Sequence, residues 1–143
     1  MLNLIQNIKS NFATVGEQLG FNHVIFAIEE TTAIHRLRDK DGNILLVAYP
    51  SYQRTGKDDN PSYRMAMAVW FIYKAKKTLR TDSEEDDAMN DILKKTEDFI
   101  ALVETQKEMG CGFFADFDLS SIELTPCYST HGGFQGWLME FNM

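Results

Sequence analysis

The chain has 143 residues, 44% of them hydrophobic and 24% charged, with a formal net charge of −7. That length fits one domain, 1–143, with a core that buries roughly two thirds of the unfolded surface, and the composition excludes general disorder. No apolar run approaches the roughly 20 residues of a membrane-spanning helix, and the acidic balance speaks against binding DNA through its phosphates.

Leu2, Ile5, Ile8, Phe12, Val15 and Leu19 recur at three- and four-residue spacing, with Lys9, Asn11 and Glu17 elsewhere. The spacing predicts an amphipathic helix of about four turns, weakened by Gly16 and stopped at Gly20. The segment MLNLIQNIKSNF has no basic stretch leading into an apolar block, so it does not read as a secretory signal. With Cys111 and Cys127 as the two cysteines, reduced thiols and a cytoplasmic location are expected. His23 to Ile28, HVIFAI, reads as a short strand or as the start of a helix continuing to Arg38, and the fold of residues 29–40 stays open. Asp41-Gly42 is a turn signal. Asn43 to Tyr49, NILLVAY, reads as a buried strand ended by Pro50. Residues 51–62, SYQRTGKDDNPS, are polar and without period. They are expected to form a long loop at the tip of a hairpin, with Tyr49, Tyr52 and Tyr63 near its root.

Tyr63 to Lys74, YRMAMAVWFIYK, is the central strand. Period two places Tyr63, Met65, Met67, Val69, Phe71 and Tyr73 on one large apolar face. Arg64, Ala66, Ala68, Trp70, Ile72 and Lys74 take the other, where the small alanines admit close packing. A helix is the rival reading, but it would be apolar all round, and Val-Trp-Phe-Ile-Tyr is strand composition. A basic cluster follows: Lys74, Lys76, Lys77 and Arg80. A helix then starts at Asp82 or Ser83, with Glu84, Glu85, Asp86 and Asp87 on its positive end. Met89, Ile92, Leu93, Thr96, Phe99, Ile100 and Val103 form its stripe, Gly110 ends it, and it spans about 40 Å. Phe113 to Leu119 alternates as a half-exposed strand, extended or followed by Ile122 to Thr125. Pro126 to Gly133 reads as a connection and Phe134 to Met143 as a final strand. The expected fold is α+β: an antiparallel-rich sheet of four to five strands with two amphipathic helices on one face, in the order α-β-β-β-α-β-β.

The chemistry-bearing residues do not converge on a motif. Cys111, Cys127 and His131, with His23, lack the short paired spacing of a zinc site. Asp116, Asp118 and Glu123 resemble a carboxylate cluster, but the plainer reading is the wet face of an edge strand. There is no GxSxG, and Gly132-Gly133 with Gly136 has no phosphate-loop setting. No catalytic, metal or cofactor site is therefore expected, and the chain reads as a non-enzyme. Charge is the clearer signal. Residues 1–80 hold 11 Lys+Arg against 7 Asp+Glu, a net +4, and residues 81–143 hold 3 against 14, a net −11. Opposite halves of this kind suit head-to-tail contact between subunits, although an ordinary solvated acidic helix is the plainer reading of 83–109. Candidate contacts are the loop residues Gln53, Arg54, Lys57, Asp58 and Asp59. To these are added the charges Lys74, Lys76, Lys77, Arg80, Glu84, Glu85, Asp86 and Asp87.

The whole-chain pattern resembles the small minor structural proteins of tailed bacteriophages, in the style of tail-terminator (tail-completion) proteins. The resemblance lies in an amphipathic opening helix, NILLVAYP, MAMAVWFIYK, the acidic helix DSEEDDAMNDILKKTEDFIALV and the closing TPCYSTHGGFQGWLMEFNM. It is one of pattern and element order over nearly the full length, and it carries over no individual functional residue. It implies a ring, often hexameric, that caps a tail tube and meets the head-side connector, with self-association, phage partners, virion assembly and no catalysis. Two other classes fit the same residues. One is a small acidic secretion-type chaperone, a dimer holding an extended client. The other is a ligand-binding α+β domain with a pocket between sheet and long helix, lined by Met65, Met67, Trp70, Tyr73, Phe99 and Trp137.

Overall fold

The computed structural model describes residues 4–28, 30–74, 82–130 and 133–143. Its helices are α1 (Leu4–Gln18), α2 (Glu30–Leu37) and α3 (Asp82–Met109). Its strands are β1 (His23–Ala27), β2 (Asn43–Ala48), β3 (Ser51–Lys57), β4 (Asn60–Lys74), β5 (Asp118–Thr130) and β6 (Phe134–Asn142). They form one six-stranded sheet in the order β1-β2-β4-β6-β5, with β3 also paired to β4. The fold is α+β, as the sequence predicts.

β4 is the spine. It pairs antiparallel with β2, β3 and β6. Its alternation does what period two predicts. Met65, Met67, Val69, Phe71 and Tyr73 are buried in the main core, together with Leu45 and Val47 of β2 and Met139 and Phe141 of β6. Over this face lie α1, through Ile8, Phe12 and Val15, and α3, through Ile92, Phe99 and Val103. The centre is aromatic: Phe99 meets Phe12, Phe71, Phe114 and Phe117, and Phe117 stacks on Phe141 at 3.9 Å. Each fully buried phenylalanine contributes about 1.5–3 kcal/mol of apolar transfer energy. Polar ties fix the helices: Lys95 Nζ donates to the Leu19 carbonyl at 2.7 Å, and Trp137 Nε1 donates to the Met89 carbonyl at 3.2 Å. Gly16 is not merely a weak point of α1. It is buried, and a Cβ there would overlap Cγ2 of Val24, so its absence lets α1 sit directly on β1.

Four expectations need correction. Residues 30–37 are the helix α2, which lies between β1 and β2. Those strands run parallel, so one βαβ unit sits at the edge of an otherwise antiparallel sheet. An eight-residue helix has too few turns to show a decisive stripe, and α2 packs on the sheet face opposite α1 and α3. The two helices expected on one face thus become three, on two faces.

Residues 51–62 are not a loop. β3 and the start of β4 pair from Ser51↔Ala66 to Lys57↔Asn60 around a two-residue turn, Asp58-Asp59. β2 and β3 form one edge along β4, interrupted by a bulge: residues 48–50 oppose only 67 and 68, at Pro50. Residues 51–54 and 56–59 are all exposed, so no buried face imposes a period on this stretch of sequence.

Residues 113–116 are a 3-10 helix, not a strand. Gln106 Oε1 accepts the Phe114 N–H at 3.0 Å, and Lys107 Nζ donates to the Phe117 carbonyl at 2.6 Å, so the end of α3 shapes the turn. Finally, β5 runs through Pro126 to Thr130 where a connection was expected. Proline is tolerated there because β5 is an edge strand.

Candidate functional site

The second face of the sheet is covered only in part by the described residues. Ala33 and Leu37 of α2 pack on Ala27, Ile44, Leu46 and Ile72 at the β1–β2 end. Farther across, the register places Ala66, Ala68 and Trp70 of β4 beside Leu138 and Glu140 of β6, then Glu123, Thr125 and Cys127 of β5. Ala66, Thr125, Glu123 and Glu140 are exposed; Ala68, Trp70, Leu138 and Cys127 are half-buried. Glu123 and Glu140 are directly opposite each other, and like charges at that spacing repel. The result is a shallow apolar strip, floored by alanines, with an acidic pair at its rim. Burial pushes the Cys127 thiol above its ordinary range, so it stays protonated at neutral pH.

The second feature is the β3–β4 ribbon. Met65 exchanges both main-chain hydrogen bonds with Met143, at 3.1 and 2.8 Å. Beyond that point residues 60–64 of β4 pair, among the described residues, with β3 alone. The ribbon is thus a two-stranded arm that continues β4 out of the sheet. Gln53, Arg54, Lys57, Asp58 and Asp59 are all exposed on it, as is Arg64. The structure brings these predicted contact residues together. Two other edges carry devices that discourage strand pairing. The Arg36 guanidinium of α2 donates to the Phe26 carbonyl on β1, and β5 has Pro126 and two register shifts.

The predicted charge contacts divide. Glu84, Glu85, Asp86 and Asp87 are exposed in the first turns of α3. Lys74 pairs with Asp41 of its own chain at 3.7 Å, an exposed pair worth at most about 1 kcal/mol. Lys76, Lys77 and Arg80 lie outside the described residues, as does His131.

The supposed carboxylate cluster does not form a unit. Asp116 is exposed on the 3-10 helix. Asp118 accepts hydrogen bonds from the Ser120 hydroxyl at 2.6 Å and the Ser120 N–H at 3.1 Å. The Ser120 hydroxyl, above all, holds the Asp118 carboxyl below its ordinary range; the nearby charges of Lys107 and Arg64 act in the same direction. Glu123 faces Glu140 instead. Among the described residues no group of three His, Cys, Asp or Glu is placed to hold a metal ion. Nor do the proposed pocket residues share one wall: Met65, Met67, Tyr73 and Phe99 are core, and Trp70 is on the opposite face. Among the described residues no helix is long and apolar enough to cross a membrane.

Sequence reasoning found the arm's residues but missed the acidic pair, because Glu123 and Glu140 meet only through the β5–β6 register. The even-numbered set of β4, small and apolar between charged ends, was the one legible sign of the open strip. No protein-family profile matches the chain, and no curated protein matches it in sequence.

Proposed function

We propose that the chain is a non-enzymatic assembly protein that works through contacts between its own copies. Its closest fit is a tailed-phage tail or neck component of the tail-terminator kind, assembled in the cytoplasm into a ring and then into the virion. The observation that carries this reading is the arm. A two-stranded ribbon is marginal in water by itself, and residues 60–64 pair with nothing in the described chain except β3. An element of that kind acquires its stability on contact with a partner. The uneven charge of +4 and −11 in the two halves of the sequence supports head-to-tail contacts, which close into rings. No cofactor is required for such a role.

Light scattering at several concentrations and two salt levels tests it. The expected result is a hexamer, or a concentration-dependent closed assembly, weakened by salt because exposed charges are screened within about 10 Å at 0.1 M. A strict monomer at every concentration overturns it. The open apolar strip favours a second reading, a dimeric secretion-type chaperone holding an extended client segment, and a salt-insensitive dimer would select that instead.

A further inference from the structure

We infer that the open strip on the second sheet face is the seat for the β3–β4 arm of another copy of this chain. The inference rests on the self-assembly reading and names its interface.

The arm cannot serve its own strip. It is the continuation of β4, leaving the sheet along the strand direction past Met65, while the strip lies across β4, β6 and β5 beyond Ala66. Any such contact is therefore between copies. Charge selects the occupant. Residues 51–64 carry Arg54, Lys57 and Arg64 against Asp58 and Asp59, a net +1, and the remaining residues carry −8, for a total of −7. The arm brings Arg54 and Lys57 out on an acidic protein, while Arg64 also acts on Asp118 of its own chain, and Glu123 with Glu140 is, among the described residues, a carboxylate pair with no opposite charge across the ladder. The ion pair described within the chain, Lys74–Asp41, involves neither group. Shape agrees: Ala66 and Ala68 leave room for main chain to approach the sheet, and Trp70 and Leu138 supply apolar area at its centre. The acidic first turns of α3 are a rival anchor for the same cations, but Ser83 to Asp87 are all exposed polar or charged groups. Exposed ion pairs without burial hold little. A contact in which each copy gives an arm and receives one uses two different surfaces, as a ring does.

The test is charge reversal on each side. Arg54→Glu with Lys57→Glu reverses the arm; Glu123→Lys with Glu140→Lys reverses the strip; Glu85→Lys with Asp86→Lys in α3 is the comparison. Mass by light scattering at fixed salt is the readout. The arm and strip variants are each expected to fall to single-subunit mass, and the α3 variant is expected to keep the wild-type mass. Mixing the arm and strip variants is expected to restore the assembly, because each then meets an opposite charge; misfolded chains would not recover this way. A wild-type assembly that survives strip reversal, or that only the α3 change disperses, overturns the inference and leaves self-assembly standing. A mixture that fails to reassemble also overturns it. A wild-type chain that is monomeric throughout overturns the self-assembly reading and the inference together.

Discussion

At the scale of single residues, the tightest constraint is Gly136. It sits in β6 opposite Ile72 with φ of 153°, and a Cβ there would overlap the Phe71 carbonyl oxygen and lie 2.8 Å from the Ile72 Cα. Both are main-chain atoms of the spine strand, so nothing can swing aside. Gly136→Ala is expected to lose roughly 3 kcal/mol or more of stability, read as a lower urea midpoint with an unchanged slope. Gly16 differs, since its obstacle is a side chain, Val24. Asp118 offers a second check. Its carboxyl is held below 3.8 in the folded chain, chiefly by the Ser120 hydroxyl. A depressed acid favours the folded state above its unfolded pKa, and that contribution is lost as pH falls through the folded value. The window therefore lies below about pH 4. Ser120→Ala is expected to move the Asp118 titration upward, as followed by carboxyl NMR; an unmoved curve would assign the shift to the main-chain N–H of residue 120, Lys107 and Arg64.

At the scale of elements, the body and the arm are expected to behave as separate parts. The main core draws on α1, α3, β2, β4, β6 and the 3-10 segment, and among the described residues none of β3 belongs to it. Replacing residues 53–62 by a two-residue turn should therefore change unfolding stability by no more than about 1 kcal/mol, while abolishing association. A large loss of stability would mean the arm is part of the core. The same division explains what could be read from the sequence. β4, α1 and α3 were legible because each buries one face: Met65 to Tyr73 alternate, and Ile92, Phe99 and Val103 recur, since water and core lie on opposite sides. α2 was not, being eight residues long. The arm was not, because its described side chains 51–54, 56–59 and 64 are all exposed and Arg54, Gly56 and Lys57 leave no period. Phe113 to Leu119 misled because Phe114, which the alternation places on the wet face, is buried together with Phe117 three residues on, the spacing of a 3-10 turn braced by Gln106 and Lys107. The candidate surface was half legible. Its cations Arg54 and Lys57 lie close together in the sequence, whereas its acidic pair is made only by pairing residues 123 and 140 across two strands.

At the scale of the whole molecule, the order of strands in the sequence and the order in space disagree. β6 is the last strand in the sequence, yet it lies inside the sheet, between β4 and β5. Its partners on β4 run from Ala66 to Lys74. Until residues 134–142 are available to pair, β4 lacks its partner along nine residues on that edge. Such an edge is where chains stick to one another. A version lacking residues 134–143 is expected to stay unfolded or to aggregate, as shown by lost near-ultraviolet circular dichroism, because Phe117 loses its stacking partner Phe141 and β4 its longest pairing. Slow synthesis of residues 134–142 is therefore expected to lengthen the interval in which this edge of the spine is unpaired.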